Sequence, residues 1–250
     1  MMEQRTNGHI YLHQTDSTNK EIWRMLDAGG EPDEFTVVQA GYQSAGRGLG
    51  STVWDSEAGK NLLFSILLKP RFLMPSGQFM LNKCIALAIR DALAPVCPTL
   101  RFKIKWPNDI LAGNGKIAGT LIENRITGKQ FEYSVAGIGI NINQQAFPPD
   151  IPNPASLQML TGQTYDPVLC MHAVVRELKA RYESLRSGQT GQIDRDYLVH
   201  LLGYNEQRRF MAGNKVLSGT ITGVNAFGML QLDTTEGKKR SFDMKEIRFL

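Results

Sequence analysis

Apolar and polar positions alternate with a period that changes several times along the chain. In "DSTNKEIWRMLDAGG", Ile22, Met25 and Leu26 recur at helical spacing, Thr18 and Glu21 stand as a capping box, and Gly29-Gly30 supplies the stop, which predicts a helix. "FTVVQAGY" (35–42) and "NLLFSILL" (61–68) are strand-length runs. Helical spacing returns at Met80, Cys84, Leu87 and Ala88, predicting a helix from about Ser76 to Leu93 with Pro95 beyond it. "RFKIKW" (101–106) alternates strictly, with Arg101, Lys103 and Lys105 on one strand face, Phe102, Ile104 and Trp106 on the other, and Pro107 ending it. "DILAGNGKIAGTLIE" predicts a hairpin turning through Gly113-Asn114-Gly115, and "FEYSVAGIGININ" (131–143) another strand. A Pro-rich connection at 147–154 then leads into two or three helices ending near Leu202.

Texture changes near Gly203. Short β-like pieces ("RRFMAG", "KVLSGTITGV", "MLQLDT", "KKRSFDM") separated by Gly and Asn turns predict a small barrel over 208–250, too small to stand alone and expected to pack on the rest. The expected organisation is an α+β domain, a mixed sheet with packed helices, over 1–202 and a small β-domain over 203–250.

Composition narrows the functional classes. The 250 residues hold no apolar run long enough to cross a bilayer, and the N-terminus lacks a signal-peptide core, so a cytoplasmic protein without membrane contact is expected. Cys84, Cys97 and Cys170 form no CxxC pair and read as buried or idle thiols; His9, His13, His172 and His200 show no zinc spacing. The net charge of +4 is mild, and the basic runs at 208–209 and 238–240 are too short to predict nucleic-acid binding.

Four stretches carry candidate chemistry. "QSAGRGLGSTVWDSEAGKN" (43–61) places Gly46, Gly48 and Gly50 around Arg47, a spacing that predicts a flexible loop approaching an anion rather than a strand, or else an ordinary surface loop. It is neither GxGxxG nor Walker A, and "GNGKIAGT" lacks the Ser or Thr a P-loop needs after its Lys. In "KIKWPNDIL", Lys105, Asn108 and Asp109 lie at a strand end and suit a nucleotide with its magnesium, although Pro-Asn-Asp is also good turn chemistry. "GKIAGTLIE" puts Lys116 at a hairpin tip with Gly119 three residues on. "GIGININ" sets Gly137 and Gly139 on one strand face, leaving a slot for something flat or a bend in a curved sheet. No nucleophile elbow or Cys–His pair is visible, so an enzyme here would work without a covalent nucleophile.

Taken in order, "STN", "GRG…W", "KWPND", "GKIAGTLIE" and "GIGIN" resemble the catalytic domain of biotin protein ligases, and the terminal β-domain resembles that family's SH3-like appendage. The resemblance covers nearly the whole chain. It implies a class II synthetase-like biotin/lipoate ligase fold, and activation of biotin with ATP and Mg2+ as biotinyl-5′-AMP. The acyl group then passes to a lysine of a biotin carboxyl carrier domain. It implies biotin contacts at Ser17, Thr18, Asn19 and Gln43, and closure over the substrate by Gly46, Arg47 and Gly48. Lys105, Asn108, Asp109 and Asn141 would bear on the nucleotide, Lys116 on both reacting groups, and Trp54, Gly119, Gly137 and Gly139 on the substrate surface. Arg47, Lys105 and Lys116 would be the catalytic cations; the magnesium ligands stay unassigned.

Two departures from the family pattern stand out. Leu49 and Ser51 occupy positions where many bacterial members carry a basic residue and a Gly, which predicts weaker retention of the adenylate. "STN" begins at residue 17, which predicts a ligase without the DNA-binding repressor domain of some members. A homodimer through a sheet edge is among the states the resemblance allows. Lipoate ligases and octanoyl transferases share the catalytic fold and are the alternative, as is a non-catalytic biotin sensor; "GRG…W" with "KWPND…GKIAG" favours biotin.

Overall fold

Strand β4 (Leu62–Leu68) is buried at every position, which requires cover on both faces, and the fold is arranged around it. The computed structural model describes residues 3–6, 8–50 and 52–250. In chain order the elements before β4 are β1 (Glu3–Thr6), β2 (His9–Leu12), α1 (Thr18–Asp27) and β3 (Val37–Ala40). After it come α2 (Phe79–Val96), β5 (Phe102–Lys105), β6 (Asp109–Ala112), β7 (Gly115–Thr127), β8 (Gln130–Ile140), α3 (Leu157–Thr161), α4 (Pro167–Arg186) and α5 (Thr190–His200). The main sheet runs β1-β2-β3-β4-β8-β7-β6-β5, with β2 and β3 parallel and every other neighbouring pair antiparallel.

The period of two in β4 and β8 sorts their side chains between two unequal layers. Leu62, Phe64, Ile66 and Leu68 of β4, with Ala136, Ile138 and Ile140 of β8, enter the large core under α2 and α4. Leu67 and Val135 point the other way, into a small cluster with Ile22 and Leu26 of α1. That second layer is a single short helix, so part of the face stays free for a site.

The remaining strands, β9 (Gln207–Ala212), β10 (Lys215–Val224), β11 (Leu230–Thr234), β12 (Lys239–Phe242) and β13 (Ile247–Phe249), form a five-stranded antiparallel sheet ordered β12-β11-β10-β9-β13. Phe210, Ile221, Val224, Leu230, Leu232 and Phe242 join the same core as α2 and α4, so this sheet packs on the rest as expected. Polar contacts fasten the joint. The buried Lys83 ammonium donates to Val224 O at 3.2 Å and pairs with Asp194 at 2.7 Å, while Trp106 Nε1 donates to Gly228 O at 2.8 Å.

Three local expectations are corrected. The helix from residue 79 runs through Pro95 to Val96, because a proline in the last turn sacrifices only one terminal bond. The capping box does not form: Ser17 is the N-cap, without a side-chain bond, and Thr18 and Glu21 turn to other partners. The glycine loop is paired rather than open. Gly48 N donates to Thr52 O at 2.8 Å, Trp54 N to Gly46 O at 3.0 Å, and Arg47 bridges Val53. A Cβ at Gly46 would strike Trp54 O, and one at Gly48 would strike Thr52 Oγ1, so these glycines let two arms approach closely. Cys84, Cys97 and Cys170 are all buried and free, and burial pushes the Cys84 thiol up to about 12.

Candidate active site

The free part of the α1 face is graded by its cross-strand rows. Leu67, Val135 and Glu123 form the first row, Ser65, Gly137 and Leu121 the next, and Leu63, Gly139 and Gly119 the last. Side chains thin out along this series until two paired glycines make a flat floor. The slot predicted beside Gly139 is filled by the Trp54 indole, into which a Cβ at Gly139 would collide; at Gly119 a Cβ would meet the same ring at 3.0 Å. A Cβ at Gly137 would instead press on the Asn19 amide. Above this floor opens a cavity of about 750 Å³.

One end of the cavity is a polar network. Thr18 N donates to Gln43 Oε1 at 2.7 Å, which identifies that atom as the oxygen. Ser65 Oγ donates to Asn19 Oδ1 at 2.6 Å and lies 2.6 Å from Thr18 Oγ1, which in turn donates to Gln43 Oε1 at 3.0 Å. Asn19 Nδ2 donates to Glu123 Oε2 at 2.7 Å, and Glu123 Oε1 receives Arg47 Nη2 at 2.8 Å. Ser17, Thr18 and Asn19 are buried at the start of α1, where helix N–H groups favour a negative ligand.

At the other end Lys116 Nζ pairs with Asp109 Oδ1 at 2.7 Å and lies 5.5 Å from the Trp54 ring centroid. Asn108 donates to Thr120 O at 2.6 Å, and Asn141 to Ala155 O at 3.0 Å, so both amides brace the wall. Trp54 Nε1 is buried with no acceptor, a donor aimed at nothing in the protein. The arrangement holds two cations, a flat aromatic surface and a polar pocket around one space. That suits the joining of two anionic reactants.

Most of the predicted residues come together here. Ser17, Thr18, Asn19, Gln43, Arg47, Gly48, Trp54, Asn108, Asp109, Lys116, Gly119, Gly137, Gly139 and Asn141 line the cavity. Gly46 lies just behind it, packed on Trp54 and Gln43. Lys105 is the exception: it lies outside the lining, and its Nζ sits 5.7 Å from the Phe249 ring centroid on β13. Strand alternation explains this, since Lys105 shares its face with the exposed Lys103. Sequence reasoning missed Glu123, Ser65 and a whole wall. The Pro-rich connection runs beside Lys116, bridging it at Pro154, and contributes Phe147, Pro148, Ile151 and Pro152 to the cavity. Leu49 also lines the cavity, whereas Ser51 lies outside the described residues.

A model of the biotin/lipoate A/B protein ligase family matches residues 11–141, a span containing every candidate site residue. The bifunctional ligase/repressor BirA of Bacillus subtilis is 30% identical over 248 residues, covering 97% of this chain and 73% of that one. The chain belongs to the biotin/lipoate A/B protein ligase family. The biotin–[acetyl-CoA-carboxylase] ligase of Paracoccus denitrificans is 37% identical over 162 residues, 62% of this chain and 65% of that one. The solved structure of biotin protein ligase from Aquifex aeolicus in complex with biotin and ATP superposes with a TM-score of 0.80 at 24% identity, covering 97% of this chain and 99% of that one. That likeness extends the shared fold across the C-terminal sheet.

Proposed function

We propose that this member of the family is an ATP-dependent biotin ligase. In the first half-reaction a biotin carboxylate oxygen attacks the α-phosphorus of ATP, forming biotinyl-5′-AMP and releasing pyrophosphate. In the second, the ε-amine of a carrier-domain lysine attacks the acyl carbon and AMP leaves. The observation that carries this reading is the convergence of Arg47 and Lys116 on one glycine-floored cavity beside the Ser17–Asn19 pocket. Two like charges 4 Å apart repel by about 4 kcal/mol at an effective dielectric near 20, and the two cations offset that cost. Positioning supplies the rest, so no enzyme nucleophile enters. The paired hairpin 46–54 and the Trp54 indole cover the reacting space and keep water from the acyl-adenylate.

Roles follow from position. Ser17, Thr18, Asn19 and Gln43 take biotin; Lys116 contacts both reacting groups; Asn108, Asp109 and Asn141 shape the nucleotide side. Magnesium enters this reading as part of the MgATP substrate, with Asp109, the ion-pair partner of Lys116, a carboxylate on that side of the cavity. Residues 1–202 carry the chemistry in this reading and 203–250 brace them. A cytoplasmic enzyme acting on a carboxylase carrier, as a monomer or homodimer, fits the same reading; among the described residues no helix is long and apolar enough to cross a membrane.

The deciding assay mixes the protein with MgATP, a carrier domain, and either biotin or lipoate, then weighs the carrier. A gain of one biotin mass, lost in Lys116→Ala, is expected. A gain with lipoate alone would overturn the choice of acyl group, and no gain in either arm beside an active control ligase would overturn catalysis.

A further inference from the structure

The loop cation of this cavity is held by the carboxylate of Glu123, the residue that closes the "GKIAGTLIE" stretch. Glu123 Oε2 accepts from Asn19 Nδ2 at 2.7 Å and from Trp23 Nε1 at 3.3 Å, both donors belonging to α1. Its other oxygen, Oε1, accepts from Arg47 Nη2 at 2.8 Å. The carboxylate is therefore anchored to the scaffold through one oxygen and to the hairpin 46–54 through the other. Arg47 can leave without disturbing the two α1 donors.

Exposure says that this pair can exchange. The Arg47 side chain is 43% exposed and that of Glu123 26%, so water and salt reach the contact. An ion pair so placed is weak, and the guanidinium fork that grips one carboxylate fits a substrate carboxylate or phosphate equally well. Arg47 is also the one hairpin residue whose side chain forms an ion pair with the main sheet among the described residues. Breaking that pair leaves the hairpin held by its own backbone bonds and by Trp54 on the glycine floor.

We propose that Glu123 is a positioning residue, an internal anion that holds Arg47 and the hairpin over the cavity until the substrate anion takes the guanidinium in its place. The exchange step rests on the reading above, that the cavity binds anionic reactants; the holding step does not. Asn19 ties the two together. Its Oδ1 accepts from Ser65 in the polar pocket while its Nδ2 donates to Glu123, so a ligand that shifts the Asn19 amide also shifts the carboxylate holding the loop.

Limited trypsin digestion tests this through cleavage after Arg47, with cleavage after the exposed Lys238 as the internal control. Cleavage of a folded protein tracks the population of the open segment when opening is fast. Glu123→Gln keeps the shape and one acceptor for Asn19 and Trp23, and turns an uncharged amide toward Arg47. With no substrate added and at low salt, cleavage after Arg47 should rise about fivefold in Glu123→Gln, the upper worth of an exposed pair. Cleavage after Lys238 should not change. Raising the salt should bring wild type toward the variant and leave the variant unmoved, a response that a merely structural role would not show. Glu123→Asp, which keeps the charge, should fall between the two. Equal cleavage of wild type and Glu123→Gln at low salt, or a gap that salt does not close, overturns the holding step. Biotin with MgATP should then protect both proteins to the same level. Protection lost only in Glu123→Gln overturns the exchange, because Glu123 would then be needed in the bound state. Protection of neither overturns the functional reading and the exchange with it, while the substrate-free comparison still decides the latch.

Discussion

Lys83–Asp194 and Arg47–Glu123 are ion pairs with similar lengths, 2.7 Å and 2.8 Å, and opposite surroundings. Lys83 is 3% exposed, its ammonium lies against the Phe79 and Tyr197 rings, and it joins α2 to α5 and to the C-terminal sheet. Arg47 stands in water at the mouth of the cavity. A buried charge without its partner is costly, so the first pair has one arrangement; a solvated charge can change partners at little cost, so the second has two. The molecule keeps its permanent electrostatics at the joint and its exchangeable electrostatics at the site. Lys116–Asp109, half-buried between the indole and the β6 strand, belongs with the exchangeable set.

The sharpest way to test that division is Lys116→Ala, which should cut adenylation by about 10²–10³-fold while leaving thermal stability nearly unchanged. A large drop in Tm would put Lys116 with the structural set. Next in size, Asp194→Asn should destabilise by about 2–3 kcal/mol because it strands a buried ammonium, whereas Lys83→Met should cost about 1 kcal/mol because Asp194 is half in water. Denaturant titration of both variants reads the asymmetry, and equal losses would contradict it.

Smaller effects probe the glycine floor and the loop tip. Gly139→Ala should weaken biotin binding by about tenfold, since its Cβ displaces the Trp54 indole outright, and Gly119→Ala by clearly less, since the ring need give only a few tenths of an ångström. Calorimetric affinities in the reverse order would show that Trp54 does not frame the ligand. Smallest of all, Leu49→Arg should slow release of the adenylate about threefold by adding a third exposed cation beside Arg47. Unchanged release would mean that the loop's second basic position has no part in retention here.

Much of this site was legible one motif at a time. The hairpin through Gly113-Asn114 formed as read, since glycine turn chemistry is local, and the alternation of "RFKIKW" separated buried Phe102 and Ile104 from exposed Lys103. Lys105 shows the limit of such reasoning. Its motif suggested a nucleotide contact, but a strand's pleat decides where a side chain points, and this one points toward Phe249. Thr18 and Glu21 failed as a capping box for a related reason. A capping bond is worth about 1 kcal/mol, and Gln43 and Ser65 offered Thr18 partners that local sequence cannot show.

What the sequence determined by itself is the set of chemical parts and their order: three candidate cations, a helix start rich in hydroxyl and amide groups, and glycines at positions where backbones must approach. These are properties of short segments, governed by turn chemistry, side-chain period and the absence of a Cβ. Only the tertiary structure decided which parts meet. Glu123 lies 76 residues from Arg47 in sequence, and although it closes the "GKIAGTLIE" stretch, nothing local there says which cation it meets. It becomes a latch because the β7–β8 register sets Glu123 beside Val135, under α1, where Asn19 and Trp23 can hold it. The same packing placed Trp54 on its floor and the Pro-rich connection against Lys116. Charge and shape act through space, and only the fold fixes those distances.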